Sequence, residues 1–162
     1  MNPVKKILVP IDLSAHSLET VRFAADMARR YAASLTILHV HSNALNRFPE
    51  GHAPAGPNQP TLLIAATRQL SAAKAEAMAA GTQDIEVLLI AGGPSAEIVH
   101  LAAEQGYDLI VMGTHQRTGC ERIMFGSVTE SVLRAAPCPL VSVRLSDTNA
   151  SAPAHRPHVA PV

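Results

Sequence analysis

Gly113 and the pair Gly126-Ser127 are residues whose types and spacing could do chemistry. They close the two ends of a polar loop that follows the apolar run Leu109-Ile110-Val111-Met112 and precedes a helix. Glycine tolerates a positive φ and lets a ligand approach the main chain closely. A helix start adds N–H groups without a partner in the helix and the positive end of the macrodipole, which together suit a phosphate. Ser127-Val128-Thr129-Glu130 has capping-box spacing, so the helix should start at Ser127, with the serine hydroxyl serving as cap, as ligand donor, or as both. The same glycines would serve a loop that only turns the chain, and the loop alone leaves the two uses equally open. Asp12 is the other candidate. It sits where the apolar run Ile7-Leu8-Val9 meets a loop, at the edge of the ligand crevice of an open parallel sheet, though an aspartate there also bonds its own turn.

The elements that must position these residues read as alternating strands and helices. Ile7-Leu8-Val9 has no alternation and suits a central parallel strand buried on both faces. Ser14 is a candidate N-cap for a helix with apolar positions at Leu18, Val21, Ala25, Ala28 and Ala32. A second strand over 35–40 runs into His39 and His41, which share one face of the strand end, but no third ligand with zinc-site spacing accompanies them, so a metal site is not expected. Residues 43–60 are rich in Pro and Gly and read as a surface loop. Leu63, Ala66, Leu70, Ala73 and Ala77 then step at helical spacing to Gly81. A third strand over 85–90 breaks at Gly92-Gly93-Pro94, before a helix capped by Ser95 that carries Ile98, Leu101 and Ala102. Glu97 fits the macrodipole of that helix and reads as structural. After the glycine-bounded loop, the last helix ends before Pro137 and a fifth strand runs from Pro139 to Val143. Five strands alternating with four helices imply a single-domain α/β fold, a doubly wound parallel sheet with helices on both faces. The domain is placed at 1–145, and 146–162, rich in Ser, Ala, Pro and His, as a disordered tail.

Composition narrows the function classes. The 162 residues carry no formal net charge, and aromatics make up only 3%, so the basic, aromatic-interleaved surface of a nucleic-acid binder is not expected. Cys120 and Cys138 stand in no metal-ligand spacing and read as reduced thiols of an intracellular protein. Pro10 and Asp12 interrupt the first apolar run at once, so neither a signal peptide nor a membrane span is expected, and the location should be cytoplasmic. The sequence contains no phosphate-loop lysine motif, no nucleophile elbow and no metal-binding helix pair, so an enzyme is not expected, a slow hydrolase at most.

From Lys5 to Arg144 the chain resembles the universal stress protein family. That family carries Gly, two residues, Gly, nine residues, then Gly followed by Ser or Thr, and its ATP-binding branch holds the phosphates there. Gly113 and Gly126-Ser127 match this spacing, whereas Gln116 occupies the middle glycine position. The family's first-strand motif stands here as Leu8-Val9-Pro10-Ile11-Asp12. The resemblance implies the sheet order 3-2-1-4-5 and a nucleotide site. In it, Pro10 and Asp12 flank the adenosine, Ile11 between them belongs to the site, Val40 meets the base, and Met112 and Gly113 lie against ribose and phosphates. Gly126, Ser127 and Val128 would donate to the phosphates. Arg117 in the loop could also pair with them. The implied ligand is ATP, with magnesium as a companion, and the implied assembly is a homodimer through antiparallel pairing of the last strand, Pro139 to Arg144. Gln116 brings a Cβ and a polar side chain to a position meant for glycine. Two readings stay open: an ATP-binding dimer in sensing or signalling, and a dimer that has lost ATP and works through protein partners.

Overall fold

The computed structural model describes residues 3–14, 16–41, 59–115 and 126–145. Nine elements alternate along these residues: β1 (Lys6–Pro10), α1 (Ser17–Tyr31), β2 (Ser34–His41), α2 (Gln59–Ala79), β3 (Ile85–Ala91), α3 (Pro94–Glu104), β4 (Leu109–His115), α4 (Ser127–Ala135) and β5 (Leu140–Leu145). The strands form one parallel sheet in the order β3-β2-β1-β4-β5, as expected.

The unalternating apolar runs are explained by burial on both faces. Ile7, Val9, Leu35, Ile37, Leu109 and Val111 point to the side covered by α1 and α2, packing on Val21, Ala25, Leu70 and Ala73. Leu8, Leu38, Val40, Ile110 and Met112 point to the other side, against Ile98, Leu101 and Ala102 of α3 and Val132 of α4. Each fully buried aliphatic side chain of this kind contributes about 1.5–3 kcal/mol over its exposed state. The small alanines on α1 and α2 let both helices lie close to the sheet. Arg22 of α1 also pairs with Glu76 of α2, which raises the guanidinium's pKa and lowers that of the carboxyl.

The start of the sheet is fastened by Asp108, whose Oδ2 accepts the main-chain N–H groups of Lys5 (2.8 Å) and Lys6 (2.9 Å). Cys138 lies nearby. Burial, and after it the charge of Asp108, pushes its thiol above the ordinary cysteine range. The thiolate is the reactive form, so iodoacetamide at pH 8 should label Cys138 several-fold more slowly in the folded protein than in urea. Peptide-resolved mass spectrometry reads this directly, and equal rates would contradict it.

Several local expectations are corrected. The loop ends earlier than Pro60, because Gln59 and Pro60 already belong to α2, where proline is tolerated in the first turn. Leu63 is 36% exposed, so the buried stripe of α2 begins at Ala66. Ala32 has left α1 and forms its C-cap at φ 50. Ser14 does not cap α1, whose N-cap is His16, and Ser95 does not cap α3, which starts at Pro94 after Gly93. Gly92 makes room for Glu97, since a Cβ there would stand 2.5 Å from its carboxylate. Residues 43–58 of the expected loop, and 146–162, lie outside the described residues.

Candidate functional site

A cleft of about 310 Å³ opens over the C-terminal ends of the central strands. Its origin is a local failure of strand pairing. β1 pairs with β2 over five residue pairs but with β4 over only two, Ile7 with Leu109 and Leu8 with Ile110. The Ile11 N–H donates to the Leu38 carbonyl at 2.8 Å, so the main chain of Ile11 faces β2. Alternation then turns Pro10 toward β4. Proline has no N–H to donate, so the ladder to β4 stops and the strands separate. The gap falls between the strands where the winding reverses, the usual place for a ligand in such a sheet.

β1 ends in a turn built by Asp12. Its Oδ1 accepts the Ser14 N–H (3.0 Å) and the Ser17 hydroxyl (2.8 Å). The turn holds Leu13 at φ 62, a conformation unfavourable for a branched side chain. Packing of Leu13 against the α1 and α2 side of the core offsets that strain. Asp12 thus bonds its own turn and stands at the cleft as well.

The far wall comes from the end of β4 and the start of α4. The capping box does not form: Gly126 is the N-cap, Ser127 is the first helical residue, and the Glu130 carboxylate pairs with Arg134 (2.9 Å) instead of reaching back. The Glu130 N–H donates to the Gly126 carbonyl at 3.0 Å, so the N–H groups of Ser127, Val128 and Thr129 have no acceptor within the helix. All three residues line the cleft. Neither glycine is there for a left-handed backbone. Gly113 is not among the positive-φ glycines, and Gly126 takes φ −59 and ψ 152, which any residue adopts. A Cβ added at Gly126 meets no atom of a described residue within 4 Å.

The structure gathers Pro10, Ile11, Asp12, Val40, Met112, Gly113, Gly126, Ser127 and Val128 around this one cleft. Arg117 and Gln116 lie outside the described residues, as does Cys120. The cleft also takes in Ser17, Thr20, Leu38, His39, Pro94, Ile98 and Thr129, which sequence reasoning did not place there. Thr20 and Thr129 carried a usable signal. Both are polar residues on core-facing stripes, 2% and 5% exposed. His39 does not pair with His41 across a metal: its Nδ1 lies 2.9 Å from the Ile11 carbonyl. Among the described residues no three His, Cys, Asp or Glu side chains are grouped to hold a metal ion. Among them, too, no helix is long and apolar enough to cross a membrane.

A five-stranded parallel sheet in this order, opened between its first and fourth strands beside a helix N-terminus, defines a doubly wound α/β protein with a cleft at its switch point. The universal stress protein family profile matches residues 3–144, and the chain belongs to that family. It is similar to a universal stress protein of Methanocaldococcus jannaschii, at 35% identity over 147 residues covering 88% of this chain and 84% of that one. The universal stress protein YxiE of Bacillus subtilis is 32% identical over 148 residues, covering 86% and 98%. Among solved structures, a universal stress protein in complex with cAMP superposes with a TM-score of 0.67 at 28% identity, covering 90% of this chain and 100% of that one. The Archaeoglobus fulgidus universal stress protein in complex with dAMP gives 0.63 at 27% identity, covering 87% and 98%.

Proposed function

We propose that this chain is an adenine-nucleotide-binding stress protein that works as a homodimer in sensing or signalling and does not turn over substrate. The observation that carries the reading is Gly126. Gly126 takes a backbone conformation open to any residue, and no described atom stands within 4 Å of an added Cβ, so a ligand has room to approach the main chain at the start of α4. The three N–H groups that follow suit a phosphate. On the other side of β1, Ile11, Leu38, Val40 and Ile98 offer an apolar seat for a base. Solved relatives that hold cAMP and dAMP support the same ligand class. ATP with magnesium is the proposed ligand, with Arg117 as a further phosphate partner and β5 as the dimer strand. A cytoplasmic protein with this site would report on adenine-nucleotide levels.

A specific feature favours a second reading: Gln116 stands where the binding motif has glycine. Its side chain would fill phosphate space, leaving a dimer that acts through protein partners. Calorimetry separates the two. Nucleotide-free protein titrated with ATP and magnesium should show one saturable site per chain in the micromolar range, with AMP, cAMP and dAMP competing. Absence of heat and of thermal shift at millimolar ATP would favour the partner-binding reading.

A further inference from the structure

We infer that His39 is a specificity-determining residue of the cleft, accepting at Nε2 a hydrogen bond from an N–H or O–H donor of the nucleoside. The inference rests on the nucleotide-binding reading above and deepens it. His39 Nδ1 lies 2.9 Å from the Ile11 carbonyl oxygen. A carbonyl can only accept, so Nδ1 carries the hydrogen, and on the neutral ring Nε2 is left with its lone pair. The tautomer is therefore set by β1.

Half-buried His39 lines the cleft at the end of β2, one residue before Val40. Its Nε2 bonds no described residue, yet it is not among the buried polar atoms sealed without a partner. The tether to Ile11 holds the ring in place, so the acceptor is oriented before any ligand arrives. Asp12 is also an acceptor, and it stands at the end of the neighbouring strand. The β1 and β2 side of the cleft thus presents acceptors, while α4 presents donors. A ligand with a donor-bearing nucleoside at one end and phosphate oxygens at the other matches both. The base amine and a ribose hydroxyl are the two sources of such a donor.

Two variants separate recognition from support. His39→Asn keeps a donor near the Nδ1 position toward Ile11 and deletes the far edge of the ring. His39→Gln places an amide near Nε2 and gives up the tether. With the full chain and ATP plus magnesium, His39→Asn should keep its Tm and lose roughly tenfold in affinity, about one shielded hydrogen bond, while His39→Gln should lose less affinity. Inosine triphosphate lacks the base amine and 2′-deoxyATP lacks a ribose hydroxyl. Whichever analogue lacks the partner should bind the unmodified protein more weakly than ATP, with no further loss in His39→Asn. Full affinity in His39→Asn, or independent losses for both analogues, would overturn the inference and leave the nucleotide reading standing. Failure of the unmodified protein to bind ATP would overturn that reading and this inference with it.

Discussion

Gly126→Val should leave the chain folded and remove most of its nucleotide affinity. The backbone at φ −59 and ψ 152 admits valine, and no described atom stands within 4 Å of the new Cβ. The stability cost is that of a poor N-cap, about 1 kcal/mol, or about 2–4 °C in Tm for a chain of this size. The binding cost is much larger, because the side chain fills the approach to the N–H groups of Ser127, Val128 and Thr129. A loss of about 100-fold in ATP affinity is expected, about 2.7 kcal/mol. Calorimetry beside a thermal melt reads both numbers. A binding loss matched by unfolding, or unchanged binding, would remove the main support for a ligand at this helix start.

That the fold was legible in sequence follows from its two-sided burial. Runs such as Ile7-Leu8-Val9 and Leu109-Ile110-Val111-Met112 are apolar at every position because each face of the sheet is covered, and glycine and proline punctuate them. That Asp12 and Gly113 line one cleft was legible for a related reason: the ends of β1 and β4 are where the strand order reverses, so the two had to meet. Helix caps were not. Ser14, Ser95 and Ser127 all look like caps, yet in each case another residue holds the position, since tertiary packing decides which residue leaves the helix. At Asp12 the carboxylate takes the Ser14 N–H and the Ser17 hydroxyl, and the cap of α1 falls two residues on, at His16. That His39 belongs to the cleft was not legible, for another reason. Its partner is a main-chain carbonyl on a different strand, Ile11, which leaves no trace in side-chain spacing.

The proposed dimer makes an equally sharp prediction, because the edge strand has one face that can be altered without loss of the fold. The Ile110 N–H donates to the Pro139 carbonyl at 3.0 Å, so the main chain of Pro139 faces β4. By alternation Val141 and Val143 also face β4, whereas Leu140, Ser142 and Arg144 direct their N–H and C=O groups to the open edge. Ser142→Pro removes an outward donor only, and proline is tolerated on an edge strand where its N–H would face outward. Its other loss is a long contact from the Ser142 hydroxyl to Thr114 at 3.4 Å. Val143→Pro, one residue on, removes a donor to β4 itself. If β5 pairs with β5 of a second copy, Ser142→Pro should sediment as a folded monomer. Val143→Pro should instead lose stability, by roughly 1–3 kcal/mol for the β4 carbonyl it leaves unpaired. The unmodified chain should sediment as a dimer at micromolar concentration. A dimer that survives Ser142→Pro would place the interface elsewhere, and a monomeric unmodified chain would remove the dimer from the proposed function while leaving the cleft untouched.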